Sequence, residues 1–173
     1  MSGNEEFGAI LVRCIHPRTT KQRYSGKADW EYIRALKNSC KIPIIGNGDI
    51  QNSRDVLEMF EHTGCDAVMV GRGAYGNPWF FKEALATLKG QPPPPPPSLV
   101  DIAITSDRHF KLLVKSRGEQ AGTNLMRRHF SNYIKGFNGA SALRQKLVTA
   151  LDMSKMRIEL DNFKKQAEEI ENK

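Results

Sequence analysis

Six consecutive prolines, Pro92 to Pro97, follow Gln91 in this 173-residue chain. Proline fixes φ and has no N–H to donate, so neither a helix nor a central strand can run through such a stretch. It adopts an extended polyproline helix without internal hydrogen bonds and acts as a semi-rigid spacer. The alternative is a docking peptide for an aromatic groove. The run lies between two structured patterns and carries no flanking motif, which favours the spacer. The expected organisation is therefore a first segment over 1–90, a linker over 91–98 and a second segment over 99–173.

The two segments differ in charge. Residues 1–90 hold 12 Lys and Arg against 10 Asp and Glu, while residues 99–173 hold 14 against 9. Most of the formal net charge of +7 is thus local to the second segment. Mean hydropathy is −0.50, and no apolar run approaches the ~18 residues of a membrane span. The polar N-terminus, Met1-Ser2-Gly3-Asn4-Glu5-Glu6, has no apolar h-region of a secretory signal. Three cysteines (Cys14, Cys40 and Cys65) with no CxxC pair argue against a disulfide scaffold or zinc ribbon and for a reducing, cytoplasmic compartment. No metal site is expected.

In the first segment three short apolar runs stand out: Phe7–Val12, Ile42–Ile45 and Ala67–Val70. They are too short for helices and nearly continuous, the pattern of parallel strands buried on both faces. Between them, Asp29–Lys37 has helical spacing, Asn52 and Ser53 are cap candidates for a second helix, and Gly64 is its natural stop. The runs start near residues 8, 42 and 67, at spacings of 34 and 25. A (βα)8 barrel of ~250 residues averages about 31 per unit. Spacing fits a barrel; the count does not, since three strands cannot close one. The expected fold class is α/β plus all-α: a partial (βα)8 TIM barrel, its last three βα units, followed by a helical bundle.

Glycine-rich turns follow the strands. Gly46-Asn47-Gly48-Asp49 comes after the second and Gly71-Arg72-Gly73 after the third. Glycine lets backbone N–H groups approach an anion closely, and Arg72 supplies charge. His16-Pro17-Arg18-Thr19 follows the first run, on the face where barrel active sites are built. One GxG alone is an ordinary tight turn; three such signals at three consecutive strand ends favour a phosphate-binding face.

The second segment has helical periodicity. Phe110, Leu113 and Val114 form one stripe, and Met126, Phe130, Tyr133, Ile134 and Phe137 a second. Leu143, Leu147 and Leu151 form a third, and Met153, Met156, Leu160, Phe163, Ala167 and Ile170 a heptad-like fourth. Four helices in a bundle are expected. Residues 108–146 carry nine basic side chains against one acidic, Glu119. A solvated face is the bland reading of such charge. So one-signed a surface suits RNA backbone contacts, with Lys111, Lys115, Arg127, Arg128, Lys135 and Arg144 as the candidates. His129 has no zinc spacing around it and is a polar residue beside the bundle seam.

The stretch His16-Pro-Arg-Thr-Thr-Lys-Gln-Arg-Tyr-Ser-Gly-Lys-Ala-Asp-Trp30, then Ile42-Pro-Ile-Ile-Gly-Asn-Gly-Asp-Ile50, then Ala67-Val-Met-Val-Gly-Arg-Gly-Ala-Tyr-Gly-Asn-Pro-Trp79 resembles the tRNA-dihydrouridine synthases, in particular their bacterial B-type branch. Order and spacing match the last third of that family's flavin-binding barrel. Met126-Arg-Arg-His129 and Tyr133-Ile-Lys-Gly136 are similar to the branch's helical domain. The resemblance implies an FMN enzyme that uses NADPH to reduce the C5–C6 bond of uridine in tRNA. It implies that Asn47, Gly48 and Asp49 lie in an FMN-contacting loop, Gly71 and Arg72 at the FMN phosphate, and His16 near the flavin. Arg18 would border the flavin and the RNA path.

Two departures stand against it. Pro17 occupies a position that is usually glycine in the family. The family's proton-donating cysteine, its flavin-contacting lysine and its first barrel strands have no counterpart in these residues. Cys14 falls inside the first strand and Cys65 just before the third, both expected to be buried and inert; Cys40 ends a helix, partly exposed. No catalytic residue is therefore assigned, and the missing barrel half becomes an expected partner. The rival reading is a non-catalytic RNA-binding protein with a vestigial flavin phosphate site. A different phosphate-binding barrel enzyme is a third, against which the basic helical extension argues.

Overall fold

The computed structural model describes residues 12–23 and 25–172. It divides into two compact units. One comprises the described residues up to Ala74 with Phe80–Pro93; the other comprises Tyr75–Trp79 with the chain from Pro94 onward. The proline run thus contains a boundary, between Pro93 and Pro94, but the short segment Tyr75–Trp79 belongs to the second unit. No described helix is long and apolar enough to cross a membrane.

The first unit is built from βα repeats. Strands β1 (Arg13–Ile15), β2 (Ile44–Asn47) and β3 (Ala67–Met69) form a parallel sheet in sequence order. Helices α1 (Trp30–Ser39), α2 (Ser53–Thr63) and α3 (Phe80–Leu88) complete the unit. Asp29 caps α1 through the Glu31 N–H. Asn52 opens α2 with a reciprocal capping box to Asp55, and Gly64, at φ 65°, ends it. Of the first apolar run, Phe7–Leu11 lies outside the described residues; the strand begins at Arg13, just beyond the run.

The sheet is covered on one face. Ile44 packs there with Ile33, Val56, Met59, Cys65 and Phe80, and Ile15 and Val68 join from the flanking strands. Register places Cys14, Ile45 and Ala67 side by side on the opposite face. There Cys14 is exposed, Ile45 and Ala67 are half-buried, and Met69 is 47% exposed. The expectation of strands buried on both faces, and of a buried Cys14, is corrected accordingly: among the described residues nothing covers the second face. Cys65 is buried and Cys40 is intermediate.

The second unit is helical: α4 (Leu99–Arg117), α5 (Glu119–Tyr133), α6 (Ala140–Thr149) and α7 (Met153–Glu171). Phe110, Met126, Phe130, Leu147, Met156, Leu160 and Phe163 are almost fully removed from solvent at its centre. The apolar stripes read from the sequence form this core, with two exceptions. Leu151 is 71% exposed because α6 stops at Thr149, and Ile170 is 43% exposed near the end of α7. Asp107, 8% exposed on α4, accepts hydrogen bonds from Lys111 Nζ at 2.8 Å and from Lys164 Nζ of α7 at 2.7 Å.

That tie gives a pH dependence. Burial alone would raise the Asp107 pKa, but the two lysines outweigh it and hold the carboxyl below its ordinary value. A depressed folded-state pKa means the stabilisation is complete above the unfolded value, about 3.9, and is lost as pH falls through the folded one. An acid titration of the Asp107→Asn chain is expected to show a shallower loss of helical stability below about pH 4 than the parent. Parallel acid profiles would exclude the tie as the cause.

The segment Tyr75–Trp79 is fixed to α5. Gly76 has φ 64°, and a Cβ there would lie 2.5 Å from the Asn132 carbonyl carbon and 2.6 Å from the Tyr133 nitrogen. Only glycine meets both the backbone conformation and the close approach. Trp79 packs against the helical core.

Candidate functional site

The C-terminal ends of the three strands bring together the three loops singled out in the sequence. Asn47 is 7% exposed, and its Nδ2 donates to the Met69 carbonyl at 3.1 Å, so the side chain ties the end of β2 to that of β3. Gly48 has φ 119°, and the space a Cβ would need is taken by Ala28 and Pro17. Its carbonyl accepts a 3.0 Å hydrogen bond from the Trp30 indole. Pro17 is therefore a packing residue beneath this turn, and its own carbonyl accepts from the Asp29 N–H at 3.1 Å.

Asp49 is the centre of the loop cluster. It holds a left-handed backbone, φ 56°, in which a non-glycine residue is uncommon. Its carboxylate accepts from Arg18 Nη2 at 2.6 Å to each oxygen and from the Ala28 N–H at 2.7 Å, and Arg72 Nη2 lies 3.6 Å away. Burial alone would raise its pKa; the Ala28 N–H and the Arg18 and Arg72 guanidinium groups outweigh that and hold it below the ordinary carboxylate value. Arg18 also donates to the carbonyls of Ser25 at 2.8 Å and Gly26 at 2.9 Å. Its side chain is 4% exposed, and its buried Nε has no acceptor among the described residues. Arg18, expected beside an RNA path, is committed inward: it clamps the 25–28 loop to Asp49.

Arg72 differs. It is 49% exposed at the head of a single 3₁₀ turn, Arg72–Ala74, that follows β3. A Cβ at neighbouring Gly71 would meet nothing within 4 Å, whereas one at Gly73 would strike the Ile50 carbonyl oxygen. The turn therefore rests on the backbone after β2 through Gly73 and leaves its Gly71 side open. An open glycine backbone beside an exposed guanidinium has the donors that a phosphate monoester needs. His16 is exposed and lines a shallow groove with Pro17, Arg18, Thr19, Asp29 and Tyr32. None of the three thiols stands on these loops. Cys14 is within β1, its Sγ 3.7 Å from Met69 Sδ; Cys40 caps α1; Cys65 precedes β3. Among the described residues no group of three or more His, Cys, Asp or Glu side chains is arranged to hold a metal.

The helical unit sorts its basic residues into two kinds. Arg127 Nη2 donates to the Ala150 carbonyl and, at 3.1 Å, to that of Leu151, closing the C-terminal end of α6. Arg144 Nη1 donates to the Ile134 carbonyl at 3.1 Å. Lys111 is paired with Asp107 and Lys146 with Glu159. Arg108, Lys115, Arg117, Arg128 and Lys135 are exposed, and their charged groups make no hydrogen bond or ion pair with any described residue. Beside them is a ring cluster that sequence spacing did not indicate. His109 and His129 stand with centroids 4.6 Å apart, and Tyr133 Oη lies 3.4 Å from His109 Nδ1. Burial lowers both histidine pKa values, and His129 lowers that of His109 further.

The sequence profile described as Dihydrouridine synthase matches residues 6–168. A probable tRNA-dihydrouridine synthase of Mycobacterium tuberculosis (strain H37Rv) is 46% identical over 158 residues, 91% of this chain and 39% of that protein. The probable tRNA-dihydrouridine synthase of Mycobacterium leprae is also 46% identical over 158 residues, 40% of its length. That of Rickettsia bellii is 39% identical over 142 residues, 80% of this chain and 43% of the relative. The chain spans about two fifths of the length of these curated relatives.

Proposed function

This chain belongs to the dihydrouridine synthase family, and we propose that it is the C-terminal portion of a B-type, FMN- and NADPH-dependent tRNA-dihydrouridine synthase. The observation that carries the reading is the sheet with one uncovered face, whose strand ends hold the phosphate-type loops. A barrel interior left open on one side has this form, and a chain that spans about two fifths of its relatives' length is short enough for the missing strands to be supplied by another part of such a protein. On this reading the described residues of 1–90, apart from Tyr75–Trp79, are the last βα units of the barrel, 91–98 is a linker, and those of 99–173 form a tRNA-binding helical domain to whose fold Tyr75–Trp79 contributes. Its compartment is the cytoplasm.

The residues fit the cofactor on its phosphate side. Gly71 offers an open backbone and Arg72 a charge. Gly48, Asn47 and Asp49 shape the adjoining turn, and His16 lines the neighbouring groove. Asp49 acts on Arg72 rather than on a ligand directly, because its oxygens are occupied by Arg18 and Ala28. FMN, if bound here and kept reduced by NADPH, would supply the hydride chemistry for the uracil ring. This chain's part is to hold the phosphate, fix the three loops and bring the tRNA. Reduction of the ring also needs a proton donor within hydrogen-bond reach; the family resemblance gives that role to a cysteine without a counterpart in these residues, and on this reading it lies in the missing barrel half.

The test uses Cys14 as well as turnover. The chain alone is expected to retain little FMN, to form no dihydrouridine with FMN, NADPH and unmodified tRNA, and to be alkylated readily at Cys14 in the native state. Supplying the upstream half of a relative, in cis or as a second fragment, should protect Cys14 and restore turnover that depends on Arg72. A chain that is yellow at one flavin per protein and turns over unaided would sink the reading. If tRNA binds but Cys14 stays reactive with the upstream half present, the non-catalytic RNA-binding alternative gains.

A further inference from the structure

We propose that Tyr75 is a stacking platform for an unpaired RNA base. The proposal rests on the tRNA reading above and gives it a contact that no charge count selects. Tyr75 is 54% exposed, yet it is held in place from several sides. Its ring meets His129 edge-on, with centroids 6.0 Å apart and planes at 72°. His129 in turn lies against His109, and His109 against the buried Tyr133. Gly76 seats the following backbone on Asn132 and Tyr133, and Trp79 anchors the segment in the helical core.

A large exposed ring that does not have to be ordered on binding loses little conformational entropy when something stacks on it. The burial of the two histidines disfavours their charged forms, so the platform is an uncharged aromatic surface at neutral pH. Charge stands close by in the sequence: Arg128 immediately precedes His129 on α5, and Lys135 comes two residues after Tyr133, both exposed and without a partner among the described residues. An aromatic face beside cations is the arrangement that holds single-stranded nucleic acid, the base on the ring and the backbone on the charges. Paired bases are already stacked and gain nothing from it, so the platform selects unpaired ones.

The experiment titrates a tRNA transcript and a blunt RNA duplex of equal length with the full chain and with its Tyr75→Leu, Tyr75→Phe and Tyr75→Trp variants, across a salt series. Tyr75→Leu is expected to weaken tRNA binding about five- to a hundredfold. It should leave the slope against salt unchanged, because no charge is removed, and leave duplex binding unchanged. Phenylalanine and tryptophan should bind tRNA within about twofold of the parent. Equal tRNA affinity of the leucine variant and the parent would overturn the platform while leaving the tRNA reading intact. An equal loss on duplex and tRNA would overturn it too. A parent chain without salt-sensitive tRNA binding would remove the tRNA reading itself, and the platform with it.

Discussion

Replacing Asp49 with alanine is expected to destabilise the first unit by about 2–4 kcal/mol. The change leaves the Arg18 guanidinium, on a side chain only 4% exposed, without its bidentate partner. It also unpairs the Ala28 N–H and puts alanine at φ 56°. The estimate is kept below that for a fully buried pair because Asp49 retains 27% exposure. Asp49→Asn tolerates the left-handed backbone and still offers an acceptor, so it should lose less. The two tryptophans make the measurement local: Trp30 hydrogen-bonds Gly48 in the first unit, and Trp79 packs in the second. In a Trp79→Phe background, the Trp30 urea transition of the alanine variant should move down by about 1–2 M. An unmoved midpoint would mean that Arg18 and Asp49 do not hold the loops.

If the proposed tRNA reading holds, the second large effect is on tRNA affinity. Of the nine basic residues between 108 and 146, four already make hydrogen bonds or ion pairs within the chain: Lys111, Arg127, Arg144 and Lys146. The other five are exposed and make no pair with any described residue, so on that reading they are the ones that would face phosphates. Neutralising about five phosphates of a duplex-like tRNA arm gives a log–log salt slope of about −4.5, or roughly a 500-fold loss of affinity over a fourfold rise in salt. The Arg128→Glu, Lys135→Glu pair should flatten the slope by at least about 2 and leave helicity intact. Arg127→Glu is a different kind of change, because it opens the end of α6 and is expected to lower stability first. A slope near zero for the parent chain would assign the basic face to solvent.

Local features of the fold were legible in the sequence wherever the interaction itself is local. The Asn52–Asp55 capping box, the Gly64 stop, the glycine turns after β2 and β3 and the helical stripes each depend on residues a few positions apart. What spacing did not reveal spans longer separations. Arg18 finds Asp49 across 31 residues, and Arg127 finds Ala150 across 23. A charge count treats both arginines as surface. Cys14 read as buried because continuous apolar runs usually have two covered faces, and here one face lacks its cover. The Tyr75–Trp79 segment, with Gly76-Asn77-Pro78 inside it, looks like an ordinary turn; its docking on α5 depends on a backbone contact with residues more than fifty positions away.

That segment changes what counts as a separable piece of this chain. The polypeptide passes from one unit to the other three times, after Ala74, after Trp79 and after Pro93. Excising the helices at the proline run would therefore leave an imperfect module, with a hole where Trp79 inserts and a bare patch of α5 where Gly76 rests. Conversely, hydrolysing one peptide bond between Pro93 and Pro94 would not free two independent bodies. The first fragment would still own five residues of the second body's fold, and the two products would travel together as a nicked, non-covalent pair. A transplant of the helical unit into another host would have to carry this loop along.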